Sequence, residues 1–138
     1  KKRKAYVVTL VERSTRRILA WAVAYERSKA LFESLVDAAP PATNYYSDQF
    51  SAWAASWYPG EYQAMPDKSQ TYSVEGDNSE LRHYLARLAR KSRCFSRSLE
   101  ALSKAVDVFA FAWNARQGFK HRYKRGNKCL PVNVIDFI

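Results

Sequence analysis

The alternation of strand-type and helix-type patterns along the chain is the feature that most restricts its fold. Residues 5–12 and 18–24 are rich in β-branched and aromatic side chains, and the polar stretch 14–17 between them is typical of a turn. These segments predict an antiparallel hairpin. From Ser28 the apolar spacing becomes that of a helix, with Ser28 as its N-cap, and the prolines at 40–41 end it.

Shorter elements follow the first helix. Residues 43–47 predict a third strand that runs straight into Asp48, and Pro59-Gly60 closes a short helix over 49–57. The rest of the pattern predicts a short strand at 62–65 and helices over 77–93 and 97–117, the former opening on a capping box of Asp77 and Glu80. This order predicts an α/β fold that begins with a hairpin.

Length and composition favour one packed domain. The chain has 138 residues, 47% of them apolar, which suits a single core. We expect the four tryptophans, Trp21, Trp53, Trp57 and Trp113, to belong to it. No apolar run approaches the roughly 20 residues of a membrane span, and Cys94 and Cys129 have no partner motif, so we expect a reduced, cytoplasmic protein.

The net charge of +10 is concentrated in the last two-fifths of the chain. Residues 1–81 hold 10 basic and 10 acidic side chains, whereas residues 82–138 hold 13 basic and 3 acidic ones. A basic surface of this size attracts polyanions, most often nucleic acid, with an anionic membrane as the alternative.

Asp48 and Glu75 are the carboxylates with the most suggestive positions. Asp48 stands at the carboxyl end of a strand, where open α/β sheets place their ligands, although it could simply be the N-cap of the helix that follows. Glu75 lies at the start of the next long helix on one stripe with Asn78 and Arg82, or is a solvated glutamate favoured by the helix dipole.

Two such carboxylates could hold magnesium, because this hard cation prefers oxygen ligands. A pair of ions about 4 Å apart can activate a water or a 3′-hydroxyl and stabilise the leaving oxygen in phosphodiester chemistry. The histidines, His83 and His121, have no metal-ligand spacing and are assigned to the surface.

Two basic clusters fit contact with DNA phosphates. The first lacks acids from 82 to 99, which an ordinary solvated helix would carry, and the second is interleaved with aromatic residues and could also be a flexible tail. Their members are Arg82, Arg87, Arg90, Lys91, Arg93 and Arg97, and then Arg116, Lys120, Arg122, Lys124, Arg125 and Lys128.

The segment 75–98 resembles the signature of the transposases of the IS-one insertion-sequence family. It carries Glu-x-x-Asn from Glu75, then Leu-Arg, Leu-Ala-Arg-Leu-x-Arg-Lys-Ser, and Phe-Ser-x-Ser ending at Ser98. Upstream, Tyr45-Tyr46-Ser47-Asp48 followed by an aromatic residue resembles the family's aspartate at a strand end, with Gln49 where a glycine is common. The likeness extends from about residue 5 to the Asp136-Phe137 ending.

The resemblance implies a ribonuclease-H-like mixed sheet flanked by helices. It also implies an Asp, Asp, Glu triad that binds Mg²⁺ or Mn²⁺ for DNA strand cleavage and strand transfer. Asp48 corresponds to the second acid and Glu75 to the third, and both are expected to be catalytic and metal-binding. DNA contacts are expected from Asn78 and from the basic residues Arg82, Arg87, Arg90, Lys91, Arg93, Arg97, Lys120, Arg122, Lys124 and Arg125.

The resemblance provides no match for the first aspartate, which belongs to a strand before the hairpin. Glu12, at the far end of its strand, is not a substitute. We therefore expect residues 1–115 to be a partial DDE catalytic domain without its first strand, residues 116–138 to be a basic tail with an apolar ending, and this chain alone to be inactive. Without that strand, the strand at 5–12 should be an unpaired edge, favouring self-association.

The expected partners are transposon-end and target DNA, with a homo-oligomer in the active complex, no membrane, and a location at the nucleoid. Two other functions stay open. The chain could be a basic DNA-binding remnant without chemistry, or a nuclease of the same fold.

Overall fold

The computed structural model describes residues 4–66, 72–85, 98–125 and 134–137. Within them the chain forms a mixed sheet flanked by helices, which confirms the α/β class. The elements are β1 (Tyr6–Glu12), β2 (Ile18–Ala24), α1 (Lys29–Ala38), β3 (Asn44–Ser47), α2 (Ser51–Ala54), β4 (Glu61–Ala64), α3 (Tyr72–Tyr84), α4 (Leu99–Arg125) and β5 (Val134–Phe137).

The predicted hairpin is confirmed, and backbone hydrogen bonds close its turn. Glu12 N donates to Arg17 O at 2.9 Å, and Arg16 N donates to Glu12 O at 2.8 Å. Arg16 adopts the left-handed conformation, with φ of 61°. The buried Glu12 carboxylate accepts hydrogen bonds from the hydroxyls of Ser14 and Thr15, so it serves the turn.

Helix α1 begins as its sequence predicts. The Ser28 hydroxyl accepts a hydrogen bond from Leu31 N, which satisfies one of the free amides of the first turn. Phe32 is fully buried and stacks on Trp53 of α2 with ring centroids 3.6 Å apart. Helices α1 and α2 therefore close over one face of the sheet as a unit.

The sheet has five strands among the described residues, in the order β2-β1-β5-β3-β4. Strand β1 is antiparallel to both β2 and β5, whereas β3 is parallel to both β4 and β5. The expectation that β1 would be an unpaired edge is therefore wrong. The apolar ending of the chain supplies the missing hydrogen-bond partners from the middle of the sheet.

Each face of the sheet has its own core. Leu10 and Tyr45 lie on the face covered by α1 and α2. Val11 and Ile18 lie on the opposite face and pack against Trp113 of α4. Because side chains alternate along a strand, neighbouring residues such as Leu10 and Val11 belong to different cores.

A glycine lets β4 begin close beside β3. Glu61 N donates to Thr43 O at 2.8 Å at the start of the pair. A Cβ on Gly60 would lie only 2.3 Å from the backbone oxygen of Ala42, so no larger residue fits without moving the chain.

Several predicted boundaries and one predicted core residue are wrong. Helix α3 begins at Tyr72, which places Asp77 and Glu80 inside it and not in a capping box. Helix α2 is shorter than 49–57, and α4 continues beyond 117 to Arg125. Trp57 follows the end of α2 and is 64% exposed, whereas Trp53 and Trp113 are buried as expected.

Candidate functional site

Asp48 directly follows β3 and precedes α2. Its side chain is exposed, and its Oδ1 accepts a hydrogen bond from Phe50 N at 3.2 Å. The N-cap of α2 is Phe50, without a side-chain hydrogen bond, so the alternative that Asp48 caps this helix is wrong. Within the described part of the chain, the one hydrogen bond to the Asp48 carboxylate goes to Oδ1, which leaves Oδ2 of this exposed group for a ligand.

The backbone at Asp48 is fixed by polar contacts of the preceding residue. The buried Ser47 hydroxyl donates to Asp48 O at 2.8 Å and shares a 2.7 Å hydrogen bond with the Tyr62 hydroxyl. Ser47 O accepts from Met65 N at 3.0 Å. These bonds join the end of β3 to β4 and hold Asp48 at the rim of the sheet.

Three tyrosines pack beneath this rim. The rings of Tyr58 and Tyr62 stack with centroids 4.5 Å apart, and Tyr45 lies 5.1 Å from Tyr58. Burial raises the pKa of Tyr62, the hydrogen bond with Ser47 opposes this shift, and the negative charge of Asp48 adds to it. Tyr62 is therefore a neutral hydrogen-bonding partner near Asp48, not a second anion.

Strand register fixes the level of Asp48 in the sheet. Tyr46 is the partner of Asp136 on β5, and Asp136 is in turn the partner of Val11 on β1. Two residues further along β3 correspond to two residues back along the antiparallel β1. Asp48 is thus level with Thr9, in the half of β1 away from the hairpin turn.

Glu75 lies in the first turn of α3, where an acid is favoured by the helix dipole. Asn78 and Arg82 lie in the same helix, and Arg82 is exposed. The side chains of Glu75 and Asn78 lie outside the part of the chain that the structure describes. All three residues of the predicted stripe belong to one continuous helix, as the prediction requires.

Two contacts that follow Glu75 along the helix show what α3 packs against. The Arg16 guanidinium lies 3.4 Å from the position that a Cβ on Gly76 would occupy, so this side chain of the hairpin turn reaches α3 next to Glu75. At the other end of the helix, Arg116 Nη1 donates to the Tyr84 hydroxyl at 2.9 Å. Helix α3 is therefore held by the hairpin turn and by α4.

These contacts do not bring Asp48 and Glu75 together. Arg16 lies beyond Glu12 at the turn end of β1, whereas Asp48 is level with Thr9 towards the other end. Within the described part of the chain, no group of three or more His, Cys, Asp or Glu side chains could hold a metal ion. Joint metal binding by Asp48 and Glu75 stays a prediction.

Comparison with known families gives one result. A family model described as IS1 transposase matches residues 1–113 of the 138. The chain belongs to the IS1 transposase family. Membership of this family indicates a role in DNA transposition. The family model also carries the designation DDE, which implies use of a divalent metal ion. No curated protein and no solved structure matches it.

The basic residues expected to contact DNA fall into three groups in this IS1-family chain. Arg82 is exposed in the last turn of α3. The second group lies in the last part of α4 and comprises Lys120, Arg122, Lys124 and Arg125. The third group lies outside the described residues and comprises Arg87, Arg90, Lys91, Arg93 and Arg97.

Arg116, a member of the second basic cluster, has a structural contact that its sequence pattern does not indicate. Its guanidinium lies 5.9 Å from the Tyr84 ring centroid in addition to the hydrogen bond with the Tyr84 hydroxyl. This residue joins α4 to α3.

In the described part of the transposase-family chain, no helix is long and apolar enough to cross a membrane.

Proposed function

We propose that the chain is part of the catalytic domain of a DDE transposase with a ribonuclease-H-like fold. It would cleave and join DNA strands at the ends of an insertion sequence, working as a homo-oligomer on transposon-end and target DNA. The observation that carries the proposal is the family match over residues 1–113. The position of Asp48 at the carboxyl end of a parallel strand agrees with it, because ligands bind at that end in open α/β sheets.

Asp48 suits a role as a ligand of Mg²⁺ or Mn²⁺. Its carboxylate is exposed at a fixed point of the backbone, and carboxylate oxygen is the donor that these cations prefer. The family pattern adds Glu75 as a second ligand. A divalent cation bound there would supply activation of a water or 3′-hydroxyl and charge stabilisation at the leaving oxygen.

The DNA would lie along the basic surface. Arg82 opens a stretch without acids that runs to residue 99, and the end of α4 is rich in positive charge, which suits contact with phosphates. Asn78, one turn before Arg82 on α3, would bind close to the Glu75 end of this surface.

A strand-transfer assay on DNA that carries both ends of the element tests this proposal. The chain and a version extended upstream by one strand are compared in Mg²⁺, each with Asp48→Asn and with Asp37→Asn, an exposed acid on α1 that serves as the charge-matched control. We expect Asp48→Asn to reduce strand transfer to background and Asp37→Asn to leave it unchanged. Equal strand transfer by the two variants of a version that is itself active, or hydrolysis without strand transfer, would contradict the assignment.

A second candidate function is DNA binding without chemistry. It is favoured by the contact of the Arg16 guanidinium with α3 at Gly76, because Arg16 belongs to the hairpin turn, at the far end of β1 from the level of Asp48. It predicts no strand transfer by either version, together with DNA binding that is unchanged when Asp48→Ala and Glu75→Ala are combined.

A further inference from the structure

Arg27 is a cation outside the two basic clusters of the sequence, and it lies over two aromatic rings. Its Cζ is 4.0 Å from the ring centroid of Phe50 and 4.9 Å from that of Tyr6. The residue is exposed and directly precedes Ser28, the N-cap of α1. Arg27 therefore connects the segment after β2 with the start of β1 and with the loop that leads from β3 to α2.

Phe50 places this cation near Asp48. The backbone N–H of Phe50 donates to Asp48 Oδ1 at 3.2 Å, and its ring contacts the Arg27 guanidinium. Because covalent geometry limits the reach of one phenylalanine, these two contacts keep Arg27 Cζ within about 12 Å of Asp48 Oδ1. Each strand of duplex DNA carries a phosphate about every 3.4 Å of helix axis, so a strand bound at Asp48 has phosphates within reach of Arg27.

The aromatic rings hold the guanidinium without using its hydrogen-bonding edge. The Phe50 ring packs edge to face with the buried Phe32 ring, with centroids 6.2 Å apart, so its position is fixed by the core. A guanidinium over an aromatic face keeps its planar set of N–H donors, and that set matches the oxygens of a phosphate. In the described part of the chain no hydrogen bond or ion pair occupies these donors of Arg27.

A cation beside Asp48 favours the approach of DNA. Asp48 is an exposed carboxylate, and its negative charge repels a phosphate backbone that comes near it. Lys29, the next cation along the chain, is paired with Glu33 at 3.5 Å and contributes little net charge. Arg27 has no such pair among the described residues, so its charge is left to attract a phosphate.

We propose that Arg27 binds a backbone phosphate of the DNA strand that Asp48 engages and positions this strand at the rim of the sheet. The inference rests on the proposed function, because it assigns a DNA contact to the same site. The sequence pattern places every expected DNA contact at or after Asn78, whereas Arg27 belongs to the part of the chain whose charges cancel. A contact on a different element from the basic end of α4 would fix the direction of the strand.

The salt dependence of DNA binding tests this contact. Fluorescence anisotropy with a labelled DNA duplex over a series of salt concentrations compares the unsubstituted chain, Arg27→Gln and Lys104→Gln. Lys104 is the charge-matched control, because it is an exposed cation on α4, which packs on the opposite face of the sheet. We expect Arg27→Gln to weaken binding about tenfold, the factor for one charge-assisted hydrogen bond, and to make the slope of log K against log salt shallower by about 0.9. Lys104→Gln should change neither appreciably.

Arg27→Lys separates the phosphate contact from a purely structural role. It keeps the charge and loses the planar donor set, so we expect the salt slope of the unsubstituted chain with an affinity between those of that chain and Arg27→Gln. If Arg27 only held Phe50 in place, Arg27→Gln would lower the free energy of unfolding in urea and leave the salt slope of the folded protein unchanged. That result, or equal affinities of Arg27→Gln and Lys104→Gln, would overturn the proposal. If circular dichroism shows that Arg27→Gln is unfolded, Arg27→Lys decides, and an affinity equal to that of the unsubstituted chain overturns it.

The outcomes separate this inference from the proposed function. If Asp48→Asn abolishes strand transfer and Arg27→Gln binds DNA as Lys104→Gln does, the proposed function stands and the phosphate contact of Arg27 falls. If Arg27→Gln changes the salt slope and neither version of the chain transfers strands, the phosphate contact stands as part of DNA binding without chemistry, and the proposed catalysis falls.

Discussion

At the scale of single residues, the tyrosines below Asp48 link the candidate site to the core. Tyr62 is hydrogen-bonded to Ser47, and Tyr58 lies between Tyr62 and Tyr45 with its hydroxyl donating to Trp53 O at 2.8 Å. Burial raises the pKa of Tyr58, and the neighbouring Tyr62 adds to the shift. The stack is thus stable as neutral phenols, and ionisation should loosen the support of the rim.

Tyr58→Phe should reveal this ionisation in the pH dependence of unfolding. The variant loses the hydrogen bond to Trp53 O, a cost of about 1 kcal/mol at pH 7. Above about pH 10 an unfolded tyrosine releases its proton while the folded Tyr58 keeps it, so the stability contributed by Tyr58 falls as pH rises. Urea unfolding at about pH 7 to 11 measures the free energy of unfolding of both proteins. The difference in this free energy between the unsubstituted protein and Tyr58→Phe should narrow above the ordinary pKa of tyrosine, about 10. A constant difference would contradict the role of burial.

At the scale of elements, α4 is joined to the hairpin by two polar side chains. Asn114 Oδ1 accepts from Ile18 N at 2.8 Å and its Nδ2 donates to Ile18 O at 2.7 Å, so one amide pairs with both backbone groups of a buried residue. Trp113 Nε1 donates to Arg16 O at 2.7 Å. These bonds set where the helix crosses the sheet.

Asn114→Ala should therefore lower the free energy of unfolding by about 1–3 kcal/mol, since it leaves Ile18 N–H and C=O without their partners. Asn114→Asp is the matched variant, because it keeps the oxygen that accepts from Ile18 N and loses the donor to Ile18 O. Chemical denaturation should place it between the unsubstituted protein and Asn114→Ala. A change below about 0.5 kcal/mol in Asn114→Ala would show that water replaces the amide.

Local signals in the sequence predict some elements, and pairing between distant segments decides others. Ser28 begins α1 because its hydroxyl caps a neighbouring amide, and the sequence shows this directly. The start of α3 is harder to predict, because the spacing of Asp77 and Glu80 imitates a capping box inside a helix. The apolar ending at 130–138 indicates an extended segment that packs back. The place of β5 in the sheet could not be predicted, because it depends on β1 and β3, which are distant in the chain.

The same division between local and distant signals applies to the candidate site. The position of Asp48 at a strand end could be predicted because the strand and the acid adjoin in the chain. The identity of the strand beside β3 at that end could not, because the place of β5 is a consequence of sheet order.

At the scale of the whole molecule, the excess charge should govern binding to DNA. Since all of the net +10 comes from residues 82–138, binding should weaken as the salt concentration rises, because release of counterions from the phosphates becomes less favourable. Replacing Lys120, Arg122, Lys124 and Arg125 by glutamine should make the slope of log K against log salt shallower by about 0.9 for each phosphate that the protein no longer neutralises.

Fluorescence anisotropy with a DNA duplex over a series of salt concentrations measures that slope. The matched control replaces Lys1, Lys2, Arg3 and Lys4 by glutamine, an equal loss of charge from the other end of the chain. Equal slopes for the two variants would mean that the end of α4 is not the DNA-binding surface.

The central place of β5 also has a consequence for how the protein is made. The ribosome releases residues 134–137 after every other described element has emerged, yet β1 and β3 become neighbours in the sheet only through this strand. Until β5 has emerged, the hairpin and the β3-β4 pair can form as separate halves with open edges. Closing them requires contacts between segments that are distant in the chain, which slows folding. The nascent protein would therefore depend on protection from aggregation until residues 134–137 are available.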